Sequence, residues 1–301
     1  MHRIAAPAVA IAVLPLLLSA CGSANTDLKT TTAAPSLQAS VDAAYRTAGV
    51  SPTSFHLNET VNITVNNKGY GGDTISGNIY SDPSNTSASY ASLTDNFSVL
   101  GKNEGNMVLL LKNKELYIND AGVHASGLKA TPGWKVMSLA DYATAITNVS
   151  SSPVVPTIAK SAQSSLLGAI LKSGTITANG SSTIGGQAVN VYTATIPYAK
   201  LAQAMSTSKG EFASTMVKLM SLYHMTGTVK VTVATTKSTD RIADVSGVFS
   251  STFAPVKGSP TKYHFVLSVQ QQYTNYGVKF TVAPPASAKT ITSFGALYSL
   301  G

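Results

Sequence analysis

The chain has 301 residues, 44% hydrophobic and only 11% charged, with a formal net charge of +8. Its apolar content excludes an intrinsically disordered chain, and its basic residues fall singly rather than in runs, which excludes a nucleic-acid-binding patch and leaves a mild attraction to anionic headgroups. A single cysteine excludes an internal disulfide, so burial alone must hold the core.

The N-terminus has three parts. Arg3 gives a short positive start, residues 4–18 form an apolar stretch broken by Pro7 and Pro15, and Leu18-Ser19-Ala20-Cys21 follows. That order is the signal-peptide pattern, and the apolar run is shorter than the roughly 20 residues that span a bilayer. The tetrapeptide resembles the lipobox of bacterial lipoproteins. The resemblance implies removal of residues 1–20, lipid on the Cys21 thiol, and anchoring to the bacterial cell membrane on its extracytoplasmic side. Two acyl chains hold a protein on a membrane where one binds only marginally. The alternative is an ordinary secretory signal with a chance cysteine; the sole cysteine of the chain falling at this one place argues against it.

Residues 21–36 read as the lipidated end and a Thr-rich flexible tether. Residues 37–48 fit a short helix, with Leu37, Val41, Ala44 and Tyr45 on one face and Gly49 as its stop. Over residues 55–65 the side chains Phe55, Leu57, Val61, Ile63 and Val65 alternate with His56, Asn58, Thr60, Asn62 and Thr64. Period two with one wet face predicts a half-buried strand. Asn66-Asn67-Lys68-Gly69 is a turn, and residues 74–80 pair back as a hairpin. A further strand is expected at 87–93. Strands at 107–111 and 115–118 flank the turn Lys112-Asn113-Lys114, and 133–136 is the next strand. Helices follow at 139–147 and 158–172. Strands at 174–183 and 188–196 surround Gly185-Gly186, a strong hairpin signal. Residues 198–223 are the longest helical candidate, with Gly210 as a point where it splits. Strand signals at 228–235, 242–253, 262–272 and 278–282 close the domain, and 286–301 read as a loose tail. Hairpins joined by short turns argue for an antiparallel sheet rather than βαβ units.

In this order the chain resembles the LolA/LppX-type envelope lipoproteins, above all the LppX and LprG group. The residues that carry the likeness are the lipobox, the Thr-rich tether, Val108-Leu109-Leu110-Leu111 leading to Leu116-Tyr117-Ile118, and Gly133-Trp134. Gly174-Thr175-Ile176-Thr177, Ile184-Gly185-Gly186-Gln187-Ala188 and the ending Val282-Ala283-Pro284-Pro285 complete it. The resemblance covers residues 37–285 and implies an α+β fold: a strongly curved antiparallel β half-barrel with helices packed on its concave face. It further implies a hydrophobic cavity between sheet and helices for a lipid or lipid-anchored cargo, with no catalytic residues and no cofactor.

The residues give the same question from below. Helices over a concave sheet either fill it, which makes a scaffold, or leave an apolar gap, which makes a lipid site. The stripe Leu201, Met205, Phe212, Met216, Leu219 and Met220, with Leu166 and Ile170 on the preceding helix, is the candidate cavity wall; methionine suits adaptable apolar binding. The same stripe also reads as ordinary core. The expected partners are the membrane through the N-terminal lipid, an apolar lipid ligand and an envelope protein, with no nucleic acid.

Chemistry is sparse. His56, His124, His224 and His264 show no metal spacing, and His56 and His264 fall on the polar face of their strands. The Ser-x-x-Lys stretches at Ser126 and Ser206, with Lys172-Ser173-Gly174, match the penicillin-binding pattern poorly, because their order is wrong and Ser-x-Asn is absent. The 13 acidic residues show no carboxylate pair in a shared sequence context, although folding can assemble one. Three readings stand: a lipid or lipoglycan carrier in envelope assembly, a non-catalytic scaffold with a filled core, and a cell-envelope hydrolase.

Overall fold

The computed structural model describes residues 52–82, 85, 88–99, 102–123, 128–130, 133–139, 141, 173–206, 226–239, 241–253, 263–292 and 298–300. The expected signal peptide, Cys21, the tether and the helices at 37–48 and 158–172 lie outside them, as do most of the helices at 139–147 and 198–223.

The strands in chain order are β1 (Thr53–Val65), β2 (Lys68–Ser81), β3 (Tyr90–Val99), β4 (Lys102–Lys112), β5 (Glu115–Val123), β6 (Leu128–Ala130) and β7 (Lys135–Ser138). Then come β8 (Thr175–Ile184), β9 (Gln187–Pro197), helix α1 (Tyr198–Ser206), β10 (Thr228–Thr236), β11 (Ile242–Phe253), β12 (Tyr263–Thr274), β13 (Lys289–Thr290) and β14 (Tyr298–Leu300). Twelve strands form one curved, unclosed sheet in the order β13-β7-β5-β4-β3-β2-β1-β12-β11-β10-β9-β8, and β14 pairs separately with β6. Every neighbouring pair of the large sheet is antiparallel except β13 with β7. The half-barrel expected from the sequence is therefore present. It consists of two local meanders, β1 to β5 with β7, and β8 to β12, joined where β1 lies against β12.

Hairpin geometry follows from the turn residues. Asn66 and Asn67, Asn113 and Lys114, and Gly185 and Gly186 all have positive φ, between 51° and 78°. Two consecutive left-handed residues make the turn whose twist matches that of paired strands. Each pair then fixes register, and register fixes which side chains face inward. From β1 to β5 the inward set includes Phe55, Leu57, Ile75, Leu93, Leu109, Leu116 and Ile118, all buried in one cluster with Met137 of β7.

Some bounds differ from expectation for local reasons. The strand expected at 87–93 begins at Tyr90, because Asn85 N donates to Asp82 Oδ1 (3.0 Å) and Asp82 N to Ser89 Oγ (3.0 Å), holding a turn before it. The strand expected at 133–136 begins at Lys135, after Gly133 at φ 90°. Residues 278–282 form no strand; they belong to a strap that runs from β12 along one end of the sheet. Tyr276 packs on Phe55 (5.9 Å between ring centroids) and donates to the Ile242 carbonyl, and Phe280 meets Tyr90 (4.9 Å), which stacks on Tyr80. The stretch 286–301, read as a tail, contributes β13 and β14, and Ile291 beside β13 is buried in the main cluster. Such an addition covers an edge strand that would otherwise present unpaired backbone groups.

Gly105 shows how closely two strands approach. It has φ 113°, and a Cβ there would be driven into the carbonyl of Gly122 on β5. Gly105→Ala is expected to lower stability by about 2–3 kcal/mol through backbone strain and loss of the β4–β5 register. Chemical denaturation checks this; a change below about 0.5 kcal/mol, the range of ordinary surface substitutions, would contradict it.

Candidate functional site

The inward face is apolar except along one band. Strand alternation sends Glu59 inward with Leu57 and Val61, Asp73 with Ile75, and Asp95 with Leu93. Register then groups them. Glu59 is opposite Gln271 of β12 on one side and Ile75 of β2 on the other. Asp95 faces Ile75 from β3, and Asp73 is opposite Val61, which makes it the diagonal neighbour of both other acids. Diagonal neighbours lie about 7–8 Å apart, and Glu59 and Asp95, with one strand between them, about 10 Å. The three carboxyls form a triangle on adjacent strands. Farther along the sheet, Lys135 of β7 forms a buried ion pair with Asp120 of β5.

The triangle is incompletely paired. Gln271 Nε2 donates to Glu59 Oε2 (2.5 Å), and the Tyr273 hydroxyl donates to Gln271 Oε1 (3.0 Å). Glu59 Oε1 and both carboxyl oxygens of Asp73 and of Asp95 have no hydrogen-bond partner among the described residues. Glu59 and Asp95 are 0% exposed and Asp73 4%. Burial disfavours the ionised form. It pushes Glu59 up to about 8, against the lowering effect of Gln271 and with help from the charge of Asp95. Burial, with the charges of Asp95 and Glu59 added, pushes Asp73 up to about 9. Burial alone takes Asp95 to about 7. At neutral pH Glu59 and Asp73 are mostly protonated and Asp95 is near its midpoint, so the band does not carry a triple negative charge.

Among the described residues, no group of three or more His, Cys, Asp and Glu is arranged to hold a metal ion. Asn62, Thr74 and Asn96, which alternation sets on the outward face, line with Asn103 a polar cleft of about 210 Å³ that also touches Asp73.

The outward face carries a different cluster. His56 Nδ1 is 2.8 Å from Asn78 Oδ1, and Ser76 Oγ is 3.3 Å from His56 Nε2. A serine, a histidine and an orienting amide in line suggest nucleophilic chemistry. Ser76 instead directs its proton to Asn58 Oδ1 at 2.7 Å. β2 is paired on both sides here, so its backbone amides serve the ladders rather than an oxyanion. The cluster is a hydrogen-bond network across β1 and β2, and His56 is half-buried within it.

Of the residues picked from sequence as a cavity wall, Leu201 is fully buried in α1, next to β9. Met205 belongs to the same helix, but its side chain is outside the description. Phe212, Met216, Leu219, Met220, Leu166 and Ile170 lie outside the described residues, as does Cys21. The acid triangle was missed by sequence reasoning. Its signal was parity: Glu59 sits in phase with Phe55, Leu57 and Val61, so the same alternation that predicts the strand sends this carboxyl inward.

The fold and its inner face define an open half-barrel with an acid band in its apolar wall. The chain is similar to the Mycobacterium tuberculosis lipoprotein LppX, with 13% identity over 83% of this chain and 100% of that one, at a TM-score of 0.42. It is likewise similar to LprF from Mycobacterium bovis, with 14% identity over 85% of this chain and 100% of that one, at a TM-score of 0.44. A lipoprotein-sorting protein domain from Vibrio parahaemolyticus matches 76% of this chain and 87% of its own at 14% identity, with a TM-score of 0.19. No protein-family model matches the chain, and neither does a curated protein. The functional reading therefore rests on the groups of the inner face themselves.

The acids make stability depend on pH in a definite direction. Below about pH 4, near the unfolded carboxyl values, both states are protonated and there is no penalty. As pH rises, the unfolded chain ionises while the folded chain still binds its protons, so stability falls, up to the folded values of about 7 to 9. Melting temperature is expected to drop between pH 5 and about pH 9, and Asp73→Asn with Asp95→Asn to flatten that slope. An unchanged slope in the double variant would show that other groups set it.

Proposed function

We propose that this chain is a membrane-anchored, extracytoplasmic lipoprotein that binds or carries a lipid in envelope assembly, with the apolar inner face of the sheet as one wall of the lipid site. One observation carries the choice of carrier over filled scaffold: the five buried carboxyl oxygens of Glu59, Asp73 and Asp95 with no hydrogen-bond partner among the described residues. A close-packed scaffold core pairs its buried polar groups or replaces them by apolar ones. A wall that receives a guest keeps groups whose partner arrives with it. The wide apolar surface around them, including Leu57, Ile75 and Leu109, suits the hydrocarbon part of such a guest.

Anchoring belongs to Cys21. Among the described residues no helix is long and apolar enough to cross a membrane. Cys21→Ala is expected to move the protein from the membrane to the soluble fraction; retention after a high-salt wash would contradict the lipid anchor.

The carrier reading is tested by mass spectrometry of organic extracts from the purified protein, which should yield a lipid in near-stoichiometric amount. Met216→Trp adds the second arm. In a cavity wall it should reduce bound lipid and leave the melting temperature nearly unchanged. In packed core it should lower stability by about 1–3 kcal/mol through overpacking. A destabilised variant of a wild type that carries no lipid would favour the scaffold.

A further inference from the structure

We infer that the polar cleft on the outward face is a subsite for one ring of a neutral, hydroxyl-rich sugar. The inference is independent of the lipid reading and uses the opposite face of the sheet.

Strand register builds the cleft. Asn62 of β1, Gly72 of β2, Ser98 of β3 and Asn103 of β4 lie in one row across four strands. Thr74 and Asn96 stand opposite each other in the next row. Gly72 leaves a gap in the middle, where any other residue would raise a side chain. A Cβ there would stand 2.4 Å from the Val61 carbonyl oxygen and 3.3 Å from Asn62 Oδ1, so none fits without a shift. The cleft holds about 210 Å³. Pockets for drug-sized molecules hold roughly 300–1,000 Å³, so this one suits a single ring.

Two bulges flank it. On one side Thr64 pairs with Gly69 and Ile63 with Gly71, which leaves Tyr70 unpaired between them. On the other, Ser98 pairs with Asn103 and Phe97 with Gly105, which leaves Glu104 out. Bulges re-aim side chains and gather beside functional sites. Tyr70 is 46% exposed. It stands two residues from Gly72, about 7 Å along the strand, within a side chain's reach of the cleft.

Chemistry selects the guest. The lining offers the amides of Asn62, Asn96 and Asn103 and the hydroxyls of Thr74 and Ser98. Each amide supplies two donors and an acceptor oxygen, and each hydroxyl serves in both roles. Asn103 Oδ1 accepts from the Gly105 amide (2.8 Å), which holds the side chain and leaves its N–H groups to donate. Ser98 Oγ donates to the Gly72 carbonyl (3.3 Å), which leaves its lone pairs to accept. Sugar hydroxyls also donate and accept, so guest and lining match in kind. Asp73 is the one ionisable residue among the described lining, and alternation turns its carboxyl inward. No Arg or Lys of the described lining is there to hold a phosphate or carboxylate. No group among the described residues is arranged for a metal. An extended peptide has no strand edge to join here, because β2 is hydrogen-bonded on both sides. Tyr70 completes the set, since the negative face of an aromatic ring attracts the C–H bonds on the apolar side of a sugar.

The test is a ligand-observed NMR titration of the full chain in phosphatidylcholine nanodiscs. Maltotriose, mannotriose, galactotriose and arabinotriose are the neutral probes, and trigalacturonate and an uncharged Ser-Gly peptide are the contrasts. At least one neutral trisaccharide should bind with a Kd of about 10 mM or below. Asn62→Ala with Asn96→Ala removes two exposed side chains. It should weaken that binding about fivefold or more and leave the melting temperature unchanged. Single Asn96→Ala serves if the double variant is destabilised. Tyr70→Ala should weaken the same sugar. The subsite is overturned if no neutral trisaccharide binds in that range, or if the asparagine variants keep full affinity. It is equally overturned if trigalacturonate or the peptide binds as tightly as the best neutral sugar. Lipid carriage stands or falls separately from each of these outcomes.

Discussion

An antiparallel sheet that curves without closing must bury one face against something other than itself. That constraint governs most of what is seen here. Strand alternation assigns every residue to one face, so the apolar half of each strand from β1 to β5 becomes a single wall. A closed barrel has no edges, whereas this sheet has two. One is covered when residues 289–290 add β13 to β7. The other is β8, whose side chains are almost all exposed, and its Ser, Thr and Asn content keeps it polar.

The same alternation explains why acids can sit inside. A strand cannot turn one side chain away from its face without a bulge or a slip that reverses all its neighbours. Glu59, Asp73 and Asp95 are carried inward by Leu57, Ile75 and Leu93, whose burial decides the register. The pairing of Asp120 with Lys135 shows the usual remedy for an inward charge. The triangle has only Gln271 among the described residues. Three buried acids with raised proton affinity in an apolar wall are a local conflict of the kind that marks functional sites.

How much of this was legible in sequence depends on whether the signal was local. The alternation of residues 55–65, the paired turn residues and the Gly185-Gly186 hairpin all lie within a few residues of their effect, and the structure places them as expected. The start of β3 was displaced because the Asp82, Asn85 and Ser89 hydrogen bonds hold a turn that no periodicity announces. The strap was invisible for another reason. Tyr276 and Phe280 find Phe55 and Tyr90 only across some 200 residues of chain, as in the 190 separating Tyr90 from Phe280. The acid triangle lay between these cases. Parity gave each acid its face, but only inter-strand register brings the three together.

The seam between β1 and β12 has a bearing on how the molecule comes to exist. Each meander is built from neighbours in sequence, and such contacts form quickly. The seam joins residues such as Glu59 and Gln271, 212 positions apart, and distant pairings are slow because a large loop must close first. A chain released N-terminus first holds β1 as an unpaired edge until β12 has been made. During that wait its row of backbone groups is open to strangers as well as to its proper mate. Asn58, Thr60, Asn62 and Thr64 keep one side of that waiting strand polar, and Glu59 sets a charge on the other while it is still wet. A carboxyl that is awkward in the finished wall is, at that stage, a guard against premature association.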